Sequence, residues 1–239
     1  MNIMVVGASK GLGKAFMEGL GDRGDHLVGV SRSRPAALLE RDGIALDWIE
    51  ADLGNPLAGI GQIDEHLGNR GLDTLIYNLG IWEDRAFDER YDFLADNEDQ
   101  LQAIVSCNVT APILLIKRLL PRLLRSEKPR IILTGSTSGL PQSGRPEVTF
   151  GASKFALRGM ADALREGYRA QRLGVTCLNL GYLNTDDPLG TPRAEAEQHG
   201  GGELIPVHDV VQVVRMALSL SAASFVKEIT LPAILDARF

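Results

Sequence analysis

Two groups of residues in this 239-residue chain have types and spacings suited to chemistry. Gly7-Ala8-Ser9-Lys10-Gly11-Leu12-Gly13 follows the apolar run Ile3-Met4-Val5-Val6 directly and precedes an amphipathic stretch. Glycines at that point permit a tight turn and close backbone approach, and a helix opening there offers free N–H groups to a pyrophosphate. The spacing is GxxxGxG rather than GxGxxG, so a plain tight turn is the alternative reading. Farther on, Phe150 and Lys154 are four residues apart, which places both on one face of a helix, shortly after the hydroxyl-rich Ser136-Thr137-Ser138-Gly139.

The elements that must position these groups are legible as a pattern. Short β-type apolar runs at 3–6, 27–30, 72–77, 130–134 and 175–180 alternate with amphipathic stretches at 12–20, 100–124 and 153–172. That alternation predicts an α/β fold, a Rossmann-type doubly wound parallel sheet with crossover helices. Runs such as Ile131-Ile132-Leu133 suit strands buried on both faces. The length fits a single domain over 1–239, and no internal repeat or low-complexity linker breaks it. The loosest stretch, about 184–207, is rich in Asp, Pro, Gly and Glu and reads as a lid-like loop.

Composition narrows the partners. With 25 Lys plus Arg against 31 Asp plus Glu, the net charge of −6 repels a phosphate backbone, so no nucleic-acid partner is expected. Cys107 and Cys177 are the two cysteines and both have apolar neighbours, which gives neither a disulfide framework nor a CxxC metal site. The opening residues carry no basic leader, and no apolar run approaches the length of a membrane span. A cytoplasmic protein without a membrane partner is the expectation.

Taken in order, the landmarks make the chain resemble a short-chain dehydrogenase/reductase of the type with a YxxxK signature. Asp52-Leu53 resembles that family's adenine-contacting pair, and Asn78-Leu79-Gly80 its NAG motif with Leu79 for Ala. Asn108 matches the active-site Asn, and Ser136-Thr137-Ser138-Gly139 matches SxxG with the catalytic serine at Ser136. Gly181 and Thr185, in Leu180-Gly181-Tyr182-Leu183-Asn184-Thr185, match PGxxxT with Leu for Pro, and the resemblance assigns Thr185 to the nicotinamide carboxamide. It also implies that Gly7, Ser9, Lys10, Gly11, Leu12, Gly13, Asn78, Gly80 and Lys154 contact a dinucleotide. The implied reaction is hydride transfer between a nicotinamide and a small-molecule carbonyl or secondary alcohol.

A 2′-phosphate needs positive charge beside it, whereas a free 2′-hydroxyl prefers a carboxylate acceptor. The second strand ends in Ser31-Arg32, and Lys10 adds a cation, so NADP(H) is the expected cofactor, with solvated loop cations as the alternative. At YxxxK the chain departs from the family and reads Phe150-Gly151-Ala152-Ser153-Lys154. In the family the tyrosine passes the proton, lysine lowers its pKa, serine bonds the same oxygen and the Asn108 equivalent holds a relay water. Phenylalanine keeps the ring and deletes the acid. Three readings stay open: a reductase disabled by replacement of its tyrosine, a divergent member drawing its proton from Ser136 and water or from Tyr182, and a protein that binds NADP(H) without redox turnover, such as a sensor, a scaffold or a non-redox lyase or isomerase.

The remaining features have plainer readings. Arg145 reads as an exposed loop arginine, with a substrate-carboxylate clamp as the alternative. Trp82 and Phe87 are either an apolar substrate wall or core. Glu195, Glu197 and His199 read as solvated lid residues, Asp96, Glu98 and Asp99 as a helix-start cluster, and His208-Asp209 as another helix start. Tyr77 reads as core, and Tyr168 lies roughly 20 Å along the helix from Lys154. Apolar excess on two helices, including Ile113, Leu114, Ile116, Phe155, Leu157 and Met160, joins the resemblance in pointing to a homodimer or homotetramer. A last strand near 229–235 should break or lie at an edge because of Pro232.

Overall fold

The computed structural model describes residues 1–39 and 41–237, leaving Glu40, Arg238 and Phe239 aside. β1 (Asn2–Val6) leads through the glycine turn into α1 (Gly11–Gly19), followed by β2 (His26–Ser31), β3 (Ala45–Glu50), α2 (Pro56–Leu67) and β4 (Thr74–Tyr77). Next come α3 (Glu98–Val105), a π-helical turn (Ser106–Thr110), α4 (Ala111–Leu123), β5 (Arg130–Thr134), α5 (Val148–Gly167) and β6 (Gly174–Leu180). The chain closes with β7 (Leu183–Asn184), α6 (Arg193–Gly200), β8 (Ile205–Pro206), α7 (Val207–Ser219) and β9 (Glu228–Leu231).

Seven strands form one parallel sheet in the order β3-β2-β1-β4-β5-β6-β9, while β7 and β8 pair separately. Each face of the sheet is covered. Leu75, Ile131, Leu133 and Val175 meet α2, α4 and α5 through Ile63, Leu115, Leu119 and Leu157. Ile3, Val5, Ile132 and Leu178 meet α1 and α7 through Phe16, Leu20, Val210 and Val214. Two-sided burial explains why these strands read as unbroken apolar runs. The strand order reverses between β1 and β4, which makes the carboxyl ends of those two strands the switch point of the sheet.

Several expectations need adjustment. The helix expected over 100–124 begins at Glu98 and is interrupted by the π turn that carries Asn108, so its periodicity is not uniform. The helix expected from 153 begins at Val148 and takes Phe150 into its first turn, because its first turn is capped from another loop rather than by a local Ser, Thr, Asp or Asn. The stretch 184–207 is not one open loop: it holds the β7–β8 pair and α6, whose C-terminus is closed by left-handed Gly201. Glu195, Glu197 and His199 lie exposed on that helix. By length and composition Glu98–Leu123 is apolar enough to cross a membrane, but its Ile104, Leu115, Leu119 and Leu123 are buried in the domain core. β9 lies at the sheet edge and ends one residue before Pro232.

Candidate functional site

The glycine turn is shaped by two close approaches. Gly7 has φ +81°, and a Cβ there would stand 2.9 Å from the Leu79 backbone. A Cβ on Gly13 would stand 1.9 Å from the Gly7 carbonyl oxygen. Gly11 adopts φ +52°, and a Cβ there would stand 3.4 Å from Thr185 Cγ2, an ordinary contact. Gly7 and Ala8 donate their N–H groups to the Val30 carbonyl, tying the turn to β2. Lys10 is the N-cap of α1 and supplies no side-chain cap, which leaves the first-turn N–H groups without an acceptor from the cap residue. Leu12 and Leu53 bury their side chains in the core, whereas Ser9 is half-buried at the turn.

Around the turn, Asn78 donates its backbone N–H to Val6 and its side chain to the Gly7 carbonyl at 3.4 Å. Asp52 is exposed and accepts from the Gly54 N–H at 2.9 Å. Gly181 donates to the Leu231 carbonyl, which anchors the turn that carries exposed Thr185. Ser31 donates its hydroxyl to the Ser33 carbonyl at 2.7 Å. Arg32, Arg34 and Lys10 are exposed, and none of the three forms an ion pair with a described residue.

Lys154 is buried at its inner end, 6% exposed, and donates from Nζ to the Thr134 carbonyl at 3.0 Å. Burial lowers its pKa to about 8. A Cβ on Gly80 would stand 3.3 Å from that Nζ and 3.7 Å from Asn108 Oδ1, so glycine leaves the approach to both open. Asn108 uses its side chain as a clamp: Oδ1 accepts from the Ile81 N–H at 2.9 Å, and Nδ2 donates to the Ile81 carbonyl at 2.7 Å and to Ser153 Oγ at 3.0 Å. The half-buried Ser136 accepts at Oγ from the Ser138 N–H at 3.1 Å, which leaves its own hydroxyl proton available. At the ends of β5 and β6 the Thr134 hydroxyl and both amide atoms of Asn179 are buried without hydrogen-bond partners among the described residues.

The Phe150 ring lies 5.2 Å from Lys154 Nζ, so the two residues four apart on α5 do meet. Phe87 meets Phe150 edge-on at 5.4 Å and Tyr182 at 5.6 Å, and Trp82 joins both Phe87 and Phe150. Trp82 is exposed and Phe87 half-buried, so neither is closed core. Tyr77 is core, with its hydroxyl on the Cys107 carbonyl and its pKa raised by burial. Among the described residues no cluster of three metal-ligating side chains occurs.

Arg145 corrects the expectation of an exposed loop arginine. Its side chain is 4% exposed, pairs with Asp236 at 3.1 Å, donates to the Tyr182 hydroxyl at 2.7 Å and lies over the Tyr182 ring. The partner arrives from 91 residues away, which no local pattern announces. Sequence reasoning also missed Glu83 and Glu147, both buried beside the first turn of α5. Glu83 Oε1 accepts from Thr149 and Phe150 N–H groups at 3.0 Å, and Glu147 Oε1 from the Phe87 N–H at 2.8 Å. Their acidic neighbourhoods carry no sequence signal for burial.

Comparison with known proteins places this geometry in context. A family profile described as short chain dehydrogenase matches residues 1–191. The chain is 25% identical over 241 residues to 3-oxoacyl-(acyl-carrier-protein) reductase FabG of Pseudomonas aeruginosa, covering 96% of this chain and 94% of that one. It is 28% identical over 189 residues to the human "Inactive hydroxysteroid dehydrogenase-like protein 1", covering 76% of this chain and 56% of that one. The fold superposes on a 4-hydroxyisoleucine dehydrogenase complexed with NADH at a TM-score of 0.78 and 20% identity, over 99% of this chain and 98% of that one. With residues 1–191, four-fifths of its length, matched to that profile, the chain belongs to the short-chain dehydrogenase family of oxidoreductases.

Proposed function

We propose that this protein binds NADP(H) at the switch point of the sheet and descends from reductases that move hydride between the nicotinamide and a small-molecule carbonyl or secondary alcohol, with the proton donor missing at position 150. The observation that carries this reading is the buried Lys154 with the Phe150 ring 5.2 Å from its Nζ, in a chain that keeps Ser136 and Asn108. The preference for a 2′-phosphate rests on Arg32 and Lys10, two exposed cations without carboxylate partners among the described residues. When bound, the cofactor supplies the hydride. Ser136 donates its hydroxyl proton in a hydrogen bond to the reacting oxygen, Lys154 holds ribose, and Asn108 fixes the loop after β4 through Ile81. Phe150 excludes water from the acid's place and gives no proton.

A second reading, cofactor binding without redox turnover, is favoured by that same ring and by the name of the human relative. An assembly of two or four chains through α4 and α5 belongs to the proposal too, since Ile113 and Phe155 are exposed there, and so does a cytosolic setting, in keeping with two free buried cysteines. The test pairs the chain with Phe150→Tyr and follows NADPH consumption with ketones, aldehydes and quinones. A gain of about 10² or more with tyrosine supports the reductase reading. Equal turnover by both moves the proton source elsewhere, and binding of NADPH by both with no turnover favours the second reading.

A further inference from the structure

We infer that the substrate of this site is a flat aryl ketone or aldehyde, received against a wall of aromatic rings that Phe87 organises. The inference rests on the carbonyl-reductase reading above and names its substrate class. Phe87 has φ +70°, a left-handed conformation that a bulky residue adopts only when its surroundings enforce it. The enforcement is visible in two buried carboxylates that stitch the loop after β4 to the start of α5. Glu147 holds the Phe87 N–H, and Glu83 holds the N–H groups of Thr149 and Phe150. Each of these carboxylates leaves its second oxygen buried without a hydrogen-bond partner among the described residues, a cost that ordinary loop packing would not require.

That stitching puts the Phe87 ring at the centre of the aromatic set. Its neighbours Phe150 and Tyr182 stand nearly perpendicular to it, at 88° and 87°, and Trp82 at 58°. If these rings were only core, the outermost would be covered, yet Trp82 is 52% exposed and Phe87 is partly so. Ring faces and edges presented together suit a further aromatic ring, which gains quadrupolar contacts that a saturated ring of the same shape does not. A cationic guest is disfavoured, because Lys154 already lies over Phe150 and Arg145 over Tyr182.

The test is calorimetric titration of the full chain, with and without saturating NADPH, using 2-acetylnaphthalene and its saturated counterpart 2-acetyldecalin. The expected result is binding of the aryl ketone about tenfold more tightly than the decalin ketone. Phe87→Leu, which keeps apolar bulk and removes the ring, should bring the ratio below about threefold. Trp82→Leu, at an exposed position, carries the same expectation if the first variant does not fold. Equal affinity for the two ketones, binding of neither, or an undiminished ratio in the folded variants overturns the inference. Failure of NADPH itself to bind refutes the cofactor reading instead, and the ketone ratio measured without NADPH then still judges the wall.

Discussion

Lys154 makes the account quantitative. Burial lowers its pKa from 10.5 to about 8, so protonating it in the folded chain is disfavoured by about 3 kcal/mol relative to the unfolded chain, at about 1.4 kcal/mol per pH unit. Below pH 8 both states carry the proton and the full cost is borne. Between about 8 and 10.5 the unfolded chain binds more protons than the folded one, so stability from this group rises with pH, and above 10.5 the cost is gone. Lys154→Met keeps the length of the side chain, removes the charge, and loses the bond to the Thr134 carbonyl, a loss of about 1 kcal/mol. The variant should therefore be more stable than the parent by about 2 kcal/mol near pH 7 and of about equal stability near pH 10, where about 1 kcal/mol of the cost persists and offsets the lost bond. Urea unfolding of both proteins at the two pH values reads this directly, and other titrating groups cancel in the difference. A difference between the proteins that stays constant with pH to within about 0.5 kcal/mol refutes the reasoning.

Other perturbations have equally definite outcomes. Arg32→Ser should weaken NADPH binding about tenfold or more while leaving NADH within about twofold, as read by calorimetry; equal losses for both would remove the 2′-phosphate role. Asp236→Asn leaves Arg145 buried without its carboxylate and should cost about 3 kcal/mol, or about 6–12 °C in Tm. An unchanged Tm means that this contact does not hold the C-terminal segment. Gly13→Ala drives a Cβ to 1.9 Å from the Gly7 carbonyl oxygen, so NADPH binding should be lost at about 1 mM ligand. Parent-like affinity in that variant contradicts the close packing of the turn.

The sheet was legible because two-sided burial writes each strand as an apolar run, and the glycine turn because close backbone approach admits no other residue at Gly7 and Gly13. Lys154 and Phe150 were legible through their four-residue spacing on α5. What stayed hidden depends on contacts distant in sequence. Arg145 reads as a loop cation until Asp236 and Tyr182 enclose it. Glu83 and Glu147 read as surface acids until the folded chain brings backbone N–H groups to them across more than 55 residues. The π turn at Asn108 was equally silent, since five residues of wider helix leave no mark on an otherwise helical pattern.

The most direct test of the central claim is a calorimetric comparison of NADPH and NADH binding to the unaltered chain. The expected result is one site per chain that takes NADPH at least about tenfold more tightly than NADH. Binding of neither at about 1 mM, or tighter binding of NADH, would contradict the cofactor assignment on which the proposed chemistry depends.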